Sequence, residues 1–258
     1  MLSKITKLIS KKNKSKIICL TAYSKNVAEE LDNYTDLILV GDSLGSVLYN
    51  YKSTRNVTLD TMIEHSKSVR LGVKKSLMIV DMPYNTYRNK KEALRNCKRV
   101  IKETKCDGVK VEGGIKIKSI VKHLTKNKIS VMGHIGILPQ SIRGKFKSKG
   151  KSEKEKKQLI KDASFLEKAG SFAIVLECIE KNLSKKITNT LKIPTIGIGS
   201  SHYCDGQILV TDDLLGLTNS KIKFVKKYID LKIYIRKGVK KFKSDVLKNK
   251  YPNKRYSY

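Results

Sequence analysis

The sequence predicts a closed (β/α)8 barrel, an α/β fold of the TIM-barrel type. Short apolar runs alternate with polar segments of helical period along the chain. Several runs are almost wholly apolar, as expected for parallel strands that are buried on both faces. Alternating strands and helices form right-handed βαβ units, and 258 residues is a usual length for eight of them. A doubly wound open sheet is the alternative, but no G-x-G-x-x-G motif follows the first run.

Eight short runs rich in β-branched and aliphatic residues account for the strands of this barrel. Polar segments or glycines bound each run, which limits its length to that of a strand. In chain order the predicted strands are 16–23 (KIICLTAY), 36–43 (DLILVGDS), 76–83 (SLMIVDMP), 107–114 (DGVKVEGG), 129–136 (ISVMGHIG), 171–178 (SFAIVLEC), 193–200 (IPTIGIGS) and 222–229 (IKFVKKYI).

The segments between the strands have the composition and period of helices. Asp60 is a candidate N-cap, and Gly72 and Gly170 are candidate helix stops. The N-terminal residues are predicted to form a short helix that closes the bottom of the barrel. The predicted helices are 1–13, 25–33, 60–72, 89–104, 115–127, 152–169 and 181–191.

Two further segments stand outside this alternation. Residues 141–156 (SIRGKFKSKGKSEKEK) are too polar and glycine-rich for a core, so they are predicted to form a mobile βα loop and a lid. Residues 240–258 are predicted to form a basic C-terminal helix and tail. Because no Pro- or Ser-rich linker interrupts the chain, residues 1–258 are expected to form a single domain.

The composition limits the location of the protein. The apolar runs are too short for a transmembrane helix. The N-terminus has lysines but no apolar stretch and no cleavage site, which argues against a secretory signal, although its interleaved Lys, Ile and Leu resemble a transit peptide. We therefore expect a cytoplasmic protein. Its cysteines are odd in number and lack C-x-x-C spacing, as expected for reduced thiols; they are Cys19, Cys97, Cys106, Cys178 and Cys204.

The net charge of +32 is the feature that argues most for a nucleic-acid or membrane partner. The excess is mostly lysine, however, and is spread along the chain without an Arg-rich patch. It accompanies many Asn and Ile residues and no Trp, which is the composition that an AT-rich coding sequence imposes. No zinc-finger, RNP or basic-zipper pattern is present. We therefore expect small-molecule substrates, with neither nucleic acid nor membrane as a partner.

The residues that close the apolar runs are polar and reactive. In a (β/α)8 barrel the carboxyl ends of all strands meet at one mouth, where the βα loops form active sites. A single Asp after a strand is often only a turn former or a helix N-cap, but acids on three consecutive strands are difficult to explain in that way. The closing residues are Thr21, Asp42 with Ser43, Asp81, Lys110 with Glu112, His134, Glu177 and Ser200.

Three of these acids, Asp42, Asp81 and Glu112, are predicted to hold a divalent cation. Uncompensated carboxylates at one mouth would repel one another and raise their pKa values. Mg²⁺ removes this repulsion, and it prefers carboxylate oxygens completed by water or substrate. The fourth acid, Glu177, lies across the mouth and is the candidate general base. A small keto acid would lose a C–H proton to it, while Lys110 and His134 would stabilise the enolate.

Nine motifs that cover about residues 16 to 229 are similar to those of the ketopantoate hydroxymethyltransferase family. The resemblance implies a (β/α)8 barrel of the phosphoenolpyruvate/pyruvate type and a homodecamer. It also implies transfer of a hydroxymethyl group from 5,10-methylenetetrahydrofolate to 3-methyl-2-oxobutanoate, which gives 2-dehydropantoate, the first committed step of pantothenate synthesis. The motifs are LTAYS (20–24), LVGDSLGSV (39–47), VTLDTMIEH (57–65), IVDMPYNTY (79–87), VKVEGG (109–114), VMGHIGILPQ (131–140), VLEC (175–178), IPTIGIGS (193–200) and CDGQILVTDDLLG (204–216).

The resemblance also assigns roles to individual residues. The Mg²⁺ positions of the family match the three acids named above, and its proton acceptor, which forms the Mg²⁺-stabilised enolate, matches Glu177. Contacts to the keto acid match Ser43, Asp81 and Lys110; with Asp42 and His134 these form the predicted substrate-binding set.

The chain departs from the family pattern around the predicted lid. The stretch GKFKSKG (144–150) replaces a G-G-aromatic-x-V-Q-G stretch, and Ser148 and Lys149 stand at the usual Val and Gln. IGSSH (198–202) replaces a common I-G-A-G. These changes concern loop closure and folate binding. A carbon–carbon lyase of the same superfamily is an alternative, but such enzymes place a Cys on this loop, and 141–156 contains none.

Overall fold

The computed structural model describes residues 3–141 and 148–258. Its strands are all parallel and form a barrel in chain order, closed by pairing of the first with the last, which confirms the predicted (β/α)8 architecture with a short N-terminal helix. The strands are β1 (Ile17–Thr21), β2 (Leu37–Val40), β3 (Leu77–Asp81), β4 (Gly108–Glu112), β5 (Val131–Gly136), β6 (Ala173–Glu177), β7 (Thr195–Ile198) and β8 (Gly206–Leu209).

The helices follow the strands in the predicted order. Two short 3₁₀ turns, Thr54–Asn56 and Ile115–Ile117, precede longer helices. The helices are α1 (Lys4–Ile9), α2 (Lys25–Leu31), α3 (Leu44–Val47), α4 (Leu59–Gly72), α5 (Lys90–Thr104), α6 (Lys118–Lys126), α7 (Glu153–Lys168), α8 (Lys181–Thr190), α9 (Thr211–Leu214) and α10 (Leu231–Leu247).

The ends of two helices test the predicted caps. Helix α4 is capped by Thr58, whose side chain accepts a hydrogen bond from the backbone N–H of Thr61, so the prediction of Asp60 as the cap was wrong. Asp60 lies instead in the first turn of α4, where its negative charge interacts favourably with the positive end of the helix dipole. Gly72 is the last residue of α4. Gly170 follows α7 with φ +96°, a conformation that favours glycine, so its role as a helix stop is confirmed.

The predicted eighth strand was wrong. Residues 222–229 form no strand, and Gly206–Leu209 takes the last place in the barrel. Gly206 pairs with both Ile17 and Ile196, and a Cβ on it would lie 2.5 Å from the carbonyl oxygen of Ile17. The position therefore requires glycine, whereas 222–229 offers bulky side chains, several of which are solvent-exposed.

Two layers of buried side chains build the core of the barrel. Alternate residues of one strand serve both layers: Leu37 and Leu39 lie in the inner cluster, and Ile38 and Val40 in the outer cluster with helix residues such as Met62. Leu8 of α1 belongs to the inner cluster. The inner cluster fills the barrel, so functional side chains must lie at its ends.

The chain divides into two compact units, Met1–Val210 and Thr211–Tyr258. The first holds all eight strands. The second holds α9 and α10, and the C-terminal helix begins at Leu231, well before the predicted 240. The single-domain organisation over 1–258 stays a prediction. None of the described helices is long and apolar enough to cross a membrane.

Candidate active site

The carboxyl ends of β2 to β6 bring six of the predicted residues together. Strand register places Asp81 beside Lys110, Glu112 beside His134, and Gly136 beside Glu177. Asp42 follows β2 and joins them, because its backbone N–H donates to Asp81 Oδ2 over 3.1 Å. All six side chains are buried, so their charges interact in an environment that screens them weakly.

An ion pair joins the third and fourth strands. Lys110 Nζ lies 2.8 Å from Asp81 Oδ1, and both side chains are almost fully buried. The direction of this contact is poor for a hydrogen bond, so Asp81 Oδ1 has no well-aligned donor within 3–141 and 148–258. The second oxygen, Oδ2, accepts the backbone N–H of Asp42. One oxygen of Asp81 is thus held by a neutral donor and the other faces a cation.

His134 lies between two carboxylates. Its Nδ1 is 3.4 Å from Glu112 Oε1, and its Nε2 is 3.1 Å from Glu177 Oε2. The second contact is an ion pair rather than an aligned hydrogen bond, because no acceptor among the described residues lies in the direction of the ring N–H. His134 Nδ1 also lies 3.4 Å from Lys110 Nζ. The imidazole therefore connects the predicted base with the predicted metal ligands.

Gln140 is a site residue that the strand-end argument missed. Its side-chain Nε2 donates to Asp42 Oδ2 over 2.8 Å, and its backbone N–H donates to Glu112 Oε2 over 3.1 Å. Tyr87 was also missed; its hydroxyl donates to Gln140 Oε1 over 2.6 Å. Both residues close motifs noted in the sequence, IVDMPYNTY and VMGHIGILPQ, and that position was the only available signal.

Ser43 contacts a different part of the mouth. Its hydroxyl shares a 2.8 Å hydrogen bond with the hydroxyl of Tyr23. His65 Nδ1 lies 2.7 Å from the carbonyl oxygen of Tyr23 and must carry the proton, since a carbonyl only accepts. Ser200 is not part of the site, because its hydroxyl contacts Ser184 Oγ and the carbonyl oxygen of Ile179 behind β7.

Burial and mutual repulsion shift the pKa values of the three acids. Burial, with the charges of Asp81 and Glu112, raises the pKa of Asp42 to about 8. Burial also raises the pKa of Asp81, although Lys110 opposes the shift. For Glu112 burial acts in the same direction, but the contacts with His134 and Lys110 outweigh it and lower its pKa. Negative charge is therefore least compensated at Asp42.

The two basic side chains stay protonated at neutral pH. Burial opposes the charge of Lys110, but Asp81, Glu112 and Asp42 hold its pKa above the usual value. Burial and Lys110 both lower the pKa of His134, yet its contacts with Glu112 and Glu177 raise it to about 9. The site thus pairs four carboxyl groups with two cations.

The donor set of the three acids fits a hard divalent cation such as Mg²⁺. One oxygen of each acid, Asp42 Oδ2, Asp81 Oδ2 and Glu112 Oε2, accepts a hydrogen bond from an uncharged nitrogen. The other oxygens of Asp81 and Glu112 face Lys110 and His134. Carboxylates held through one oxygen can offer the other to a metal.

The side chains must shift to take up such an ion. Within residues 3–141 and 148–258, no three acid, imidazole or thiol groups lie close enough together to bind one metal as they stand. The acids are instead engaged by protein groups: Gln140 contacts Asp42, Lys110 contacts Asp81, and His134 contacts Glu112.

Lys149, in the described part of the predicted lid, lies next to the predicted base. The backbone N–H of Lys149 donates to the carbonyl oxygen of Cys178 over 2.8 Å. The carbonyl oxygen of Lys149 accepts a hydrogen bond from the backbone N–H of Glu180. Cys178 adopts φ +51°, and burial raises the pKa of its thiol to about 12, so it is no thiolate nucleophile. Helix α7 begins at Glu153, so 153–156 is not loop as predicted. Residues 142–147 of the predicted lid lie outside the described residues.

Similarity to solved structures supports the fold. Phosphonopyruvate hydrolase in complex with oxalate and Mg²⁺ superimposes with a TM-score of 0.60, at 11% identity, over 81% of each chain. For 2,3-dimethylmalate lyase, a PEP mutase/isocitrate lyase superfamily member, the TM-score is 0.62 at 13% identity, over 95% of this chain and 89% of that one.

Sequence comparisons are more specific. The family model for ketopantoate hydroxymethyltransferase matches residues 3–254. The 3-methyl-2-oxobutanoate hydroxymethyltransferase of Pelagibacter ubique is 60% identical over the full length of both chains. The enzyme of that name from Rhizobium etli is 47% identical over 92% of this chain and 88% of its own. A Helicobacter pylori enzyme of that name is 45% identical over 97% of this chain and 94% of its own. The chain therefore belongs to the ketopantoate hydroxymethyltransferase family.

Proposed function

We propose that this protein transfers a hydroxymethyl group from 5,10-methylenetetrahydrofolate to 3-methyl-2-oxobutanoate and so forms 2-dehydropantoate. This is the first committed step of pantothenate synthesis, the route to coenzyme A. The observation that carries the proposal is the buried set of acids and bases at the barrel mouth, in a chain of this family. Such a set is suited to removing a proton next to a carbonyl group.

Asp42, Asp81 and Glu112 would hold Mg²⁺. When bound, the ion would neutralise the acids and polarise the keto group of the substrate. The support is the donor set, in which each acid has one oxygen engaged by a neutral nitrogen. The raised pKa of Asp42, caused by burial and by the neighbouring acids, is the shift that uncompensated ligands should have.

Lys110, His134 and Ser43 would bind the keto acid together with Asp42 and Asp81. Lys110 is buried and protonated, so its ammonium can attract the carboxylate of the substrate and the charge that develops during reaction. The protonated ring of His134 lies on the same side of the mouth and would donate a hydrogen bond to the substrate. The Ser43 hydroxyl, fixed by Tyr23, offers an uncharged hydrogen-bond partner.

Glu177 would take the C3 proton of 3-methyl-2-oxobutanoate. It lies on β6, opposite the strands that carry Asp42 and Asp81, so a substrate between them would present its C3 to this carboxylate. His134 Nε2 lies 3.1 Å from Glu177 Oε2, so the imidazole would hold this carboxylate in place while the proton is removed. Proton removal leaves an enolate whose negative charge faces Lys110 and His134.

The carbon–carbon bond would form in the second half of the reaction. The enolate carbon attacks the methylene carbon of 5,10-methylenetetrahydrofolate, while the bonds between that carbon and the folate nitrogens break. Water supplies the hydroxyl group. Of the two protons that the folate nitrogens take up, one comes from this water and the other is the C3 proton that Glu177 had accepted. The Lys149 segment beside Cys178 lies close to Glu177, where the one-carbon donor would approach.

We further infer a cytoplasmic homodecamer without nucleic-acid or membrane partners. Family membership supports the assembly.

A coupled assay tests the proposed function. Purified protein is mixed with 3-methyl-2-oxobutanoate and methylenetetrahydrofolate, and 2-dehydropantoate is quantified in Mg²⁺ and in chelator. The expected result is turnover that requires Mg²⁺. Absence of product in the presence of Mg²⁺ would overturn the assigned reaction, and equal turnover in chelator would overturn the metal requirement.

A further inference from the structure

We propose that Gln140 is a positioning residue that orients two of the predicted Mg²⁺ ligands, Asp42 and Glu112, from the connection that follows β5. The inference rests on the proposed function, because it concerns metal binding at the same site. Gln140 is only 2% exposed, and it reaches acids that follow or end two different strands. It carries no charge, so it holds the carboxylates without competing for the ion.

Gln140 supplies two of the three neutral donors that the acids receive. Its side-chain amide serves Asp42, and its backbone N–H serves Glu112. In each case the hydrogen bond engages one oxygen of the carboxylate and does not involve the other. Outer hydrogen bonds of this kind fix the direction in which a carboxylate presents its free oxygen to a metal.

The orientation of the Gln140 amide is itself fixed. Its Nε2 also lies 2.9 Å from the carbonyl oxygen of Met82, which can only accept, so the nitrogen must face Met82 and Asp42. The oxygen Oε1 then faces Tyr87, whose hydroxyl donates to it. The same Tyr87 hydroxyl accepts the backbone N–H of Glu112 over 3.3 Å, which closes a ring of hydrogen bonds.

The backbone of Gln140 is held from the other side. Arg55 Nε donates to its carbonyl oxygen over 2.7 Å, and the Arg55 guanidinium lies 4.7 Å from the centre of the Tyr84 ring. All four polar groups of Gln140 therefore have partners that belong to other segments of the mouth. A side chain that only filled space would not need these partners.

Gln140→Met separates positioning from packing. Methionine has nearly the volume of glutamine but cannot donate to Asp42, while the backbone N–H to Glu112 remains. Gln207→Met is the matched control, because Gln207 Nε2 donates to the carbonyl oxygen of Ser201, over 2.8 Å, outside the acid cluster. Mg²⁺ binding to the metal-free full-length enzymes is measured by titration calorimetry, together with kcat and KM.

We expect the Mg²⁺ dissociation constant of Gln140→Met to rise by roughly 10- to 100-fold, the usual cost of losing an outer hydrogen bond at a metal site. Gln207→Met should bind Mg²⁺ like the wild type, and saturating Mg²⁺ should restore much of the kcat of Gln140→Met. An unchanged dissociation constant in a folded Gln140→Met overturns the inference while the proposed function stands. Failure of the wild type to bind Mg²⁺ overturns both the inference and the metal site.

If Gln140→Met does not fold, Tyr87→Phe tests the positioning role of Gln140 instead. It leaves Gln140 in place but removes the hydroxyl that fixes its amide. A positioning role for Gln140 then requires a weaker but measurable loss of Mg²⁺ affinity, whereas wild-type affinity in Tyr87→Phe contradicts it.

Discussion

His134 and Glu177 face each other across neighbouring strands, with Nε2 of the imidazole 3.1 Å from Oε2 of the carboxylate. The same imidazole faces Glu112 through its Nδ1, so one histidine links the predicted base to a predicted metal ligand. The contact also places the base beside a group that can take part in proton transfer.

Glu177→Gln should abolish proton removal without abolishing metal binding. Glutamine keeps the size and polarity of the side chain but cannot accept the C3 proton. Exchange of that proton with deuterated water, followed by NMR in Mg²⁺ without folate, should fall by roughly 10²- to 10⁴-fold. Mg²⁺ affinity should stay near that of the wild type. Glu180→Gln, which alters only the cap of α8, is the control. Exchange at the wild-type rate in Glu177→Gln would show that the proton leaves by another route, with His134 the first suspect.

Asp42→Asn and Asp81→Asn should each reduce Mg²⁺-dependent turnover by orders of magnitude, because each removes a charged ligand. The fold should persist, since both residues lie at the mouth rather than inside the barrel core. Asp81→Asn should cause the larger loss of affinity for the keto acid, because it also removes the partner of Lys110. Steady-state kinetics over a range of Mg²⁺ concentrations measures both effects. A normal Mg²⁺ dependence in both variants would refute the three-acid site.

The fold was predictable largely because most strands are buried on both faces. In β2 to β6 nearly every residue is buried, so the sequence there reads as a continuous apolar run. Strand β8 escaped prediction because Gly206–Leu209 is short and Gln207 is exposed. This segment is a strand because it pairs with both β1 and β7 and so closes the barrel, which depends on the whole sheet rather than on the local sequence.

The candidate site was only partly predictable. Strand-end residues such as Asp81 and Glu177 could be found, because the end of a strand fixes where its side chain lies. Gln140, Tyr87 and Tyr23 lie at or beyond the ends of their strands, where no period in the sequence fixes the path of the chain. Their contacts with the acids and with Ser43 emerge only in three dimensions.

Asp42 should make the metal-free protein less stable as the pH rises. Burial and the neighbouring acids raise its pKa in the folded state to about 8, whereas an unfolded Asp titrates near about 3.9. Between these values the folded state binds a proton that the unfolded state lacks, so the free energy of unfolding falls with increasing pH. The decrease begins above about pH 4 and is complete above about pH 8.

Asp42→Asn tests this dependence, because asparagine does not titrate. In the presence of chelator, its melting temperature should exceed that of the wild type by more at pH 8.5 than at pH 5. For a chain of this length about 1 kcal/mol corresponds to about 2–4 °C. Melting curves across this pH range, recorded by circular dichroism, provide the measurement. Parallel pH profiles for the two proteins would contradict the raised pKa of Asp42.

The predicted decamer should loosen at low ionic strength. Each subunit carries a net charge of +32, so subunits in an assembly repel one another. Salt screens charges beyond about 10 Å at 0.1 M and much less at 0.01 M. Sedimentation velocity at 20 mM and 300 mM NaCl should therefore show a larger fraction of small species at the lower salt. Monomers at every salt concentration would exclude the decamer.

Tyr23→Phe should weaken binding of the keto acid with little effect on the metal. The Tyr23 hydroxyl shares a hydrogen bond with Ser43 Oγ, and the backbone carbonyl of Tyr23 is fixed by His65. Loss of the hydroxyl frees the Ser43 side chain to rotate, which costs about 1 kcal/mol for an uncharged hydrogen bond. We therefore expect KM for 3-methyl-2-oxobutanoate to rise about fivefold, with kcat changed less and Mg²⁺ affinity unchanged. Tyr34→Phe, at an exposed position, is the matched control and should leave KM unchanged. Should Tyr23→Phe bind the keto acid as the wild type does, Ser43 either needs no orientation by Tyr23 or does not contact the substrate, and Ser43→Ala separates these two explanations.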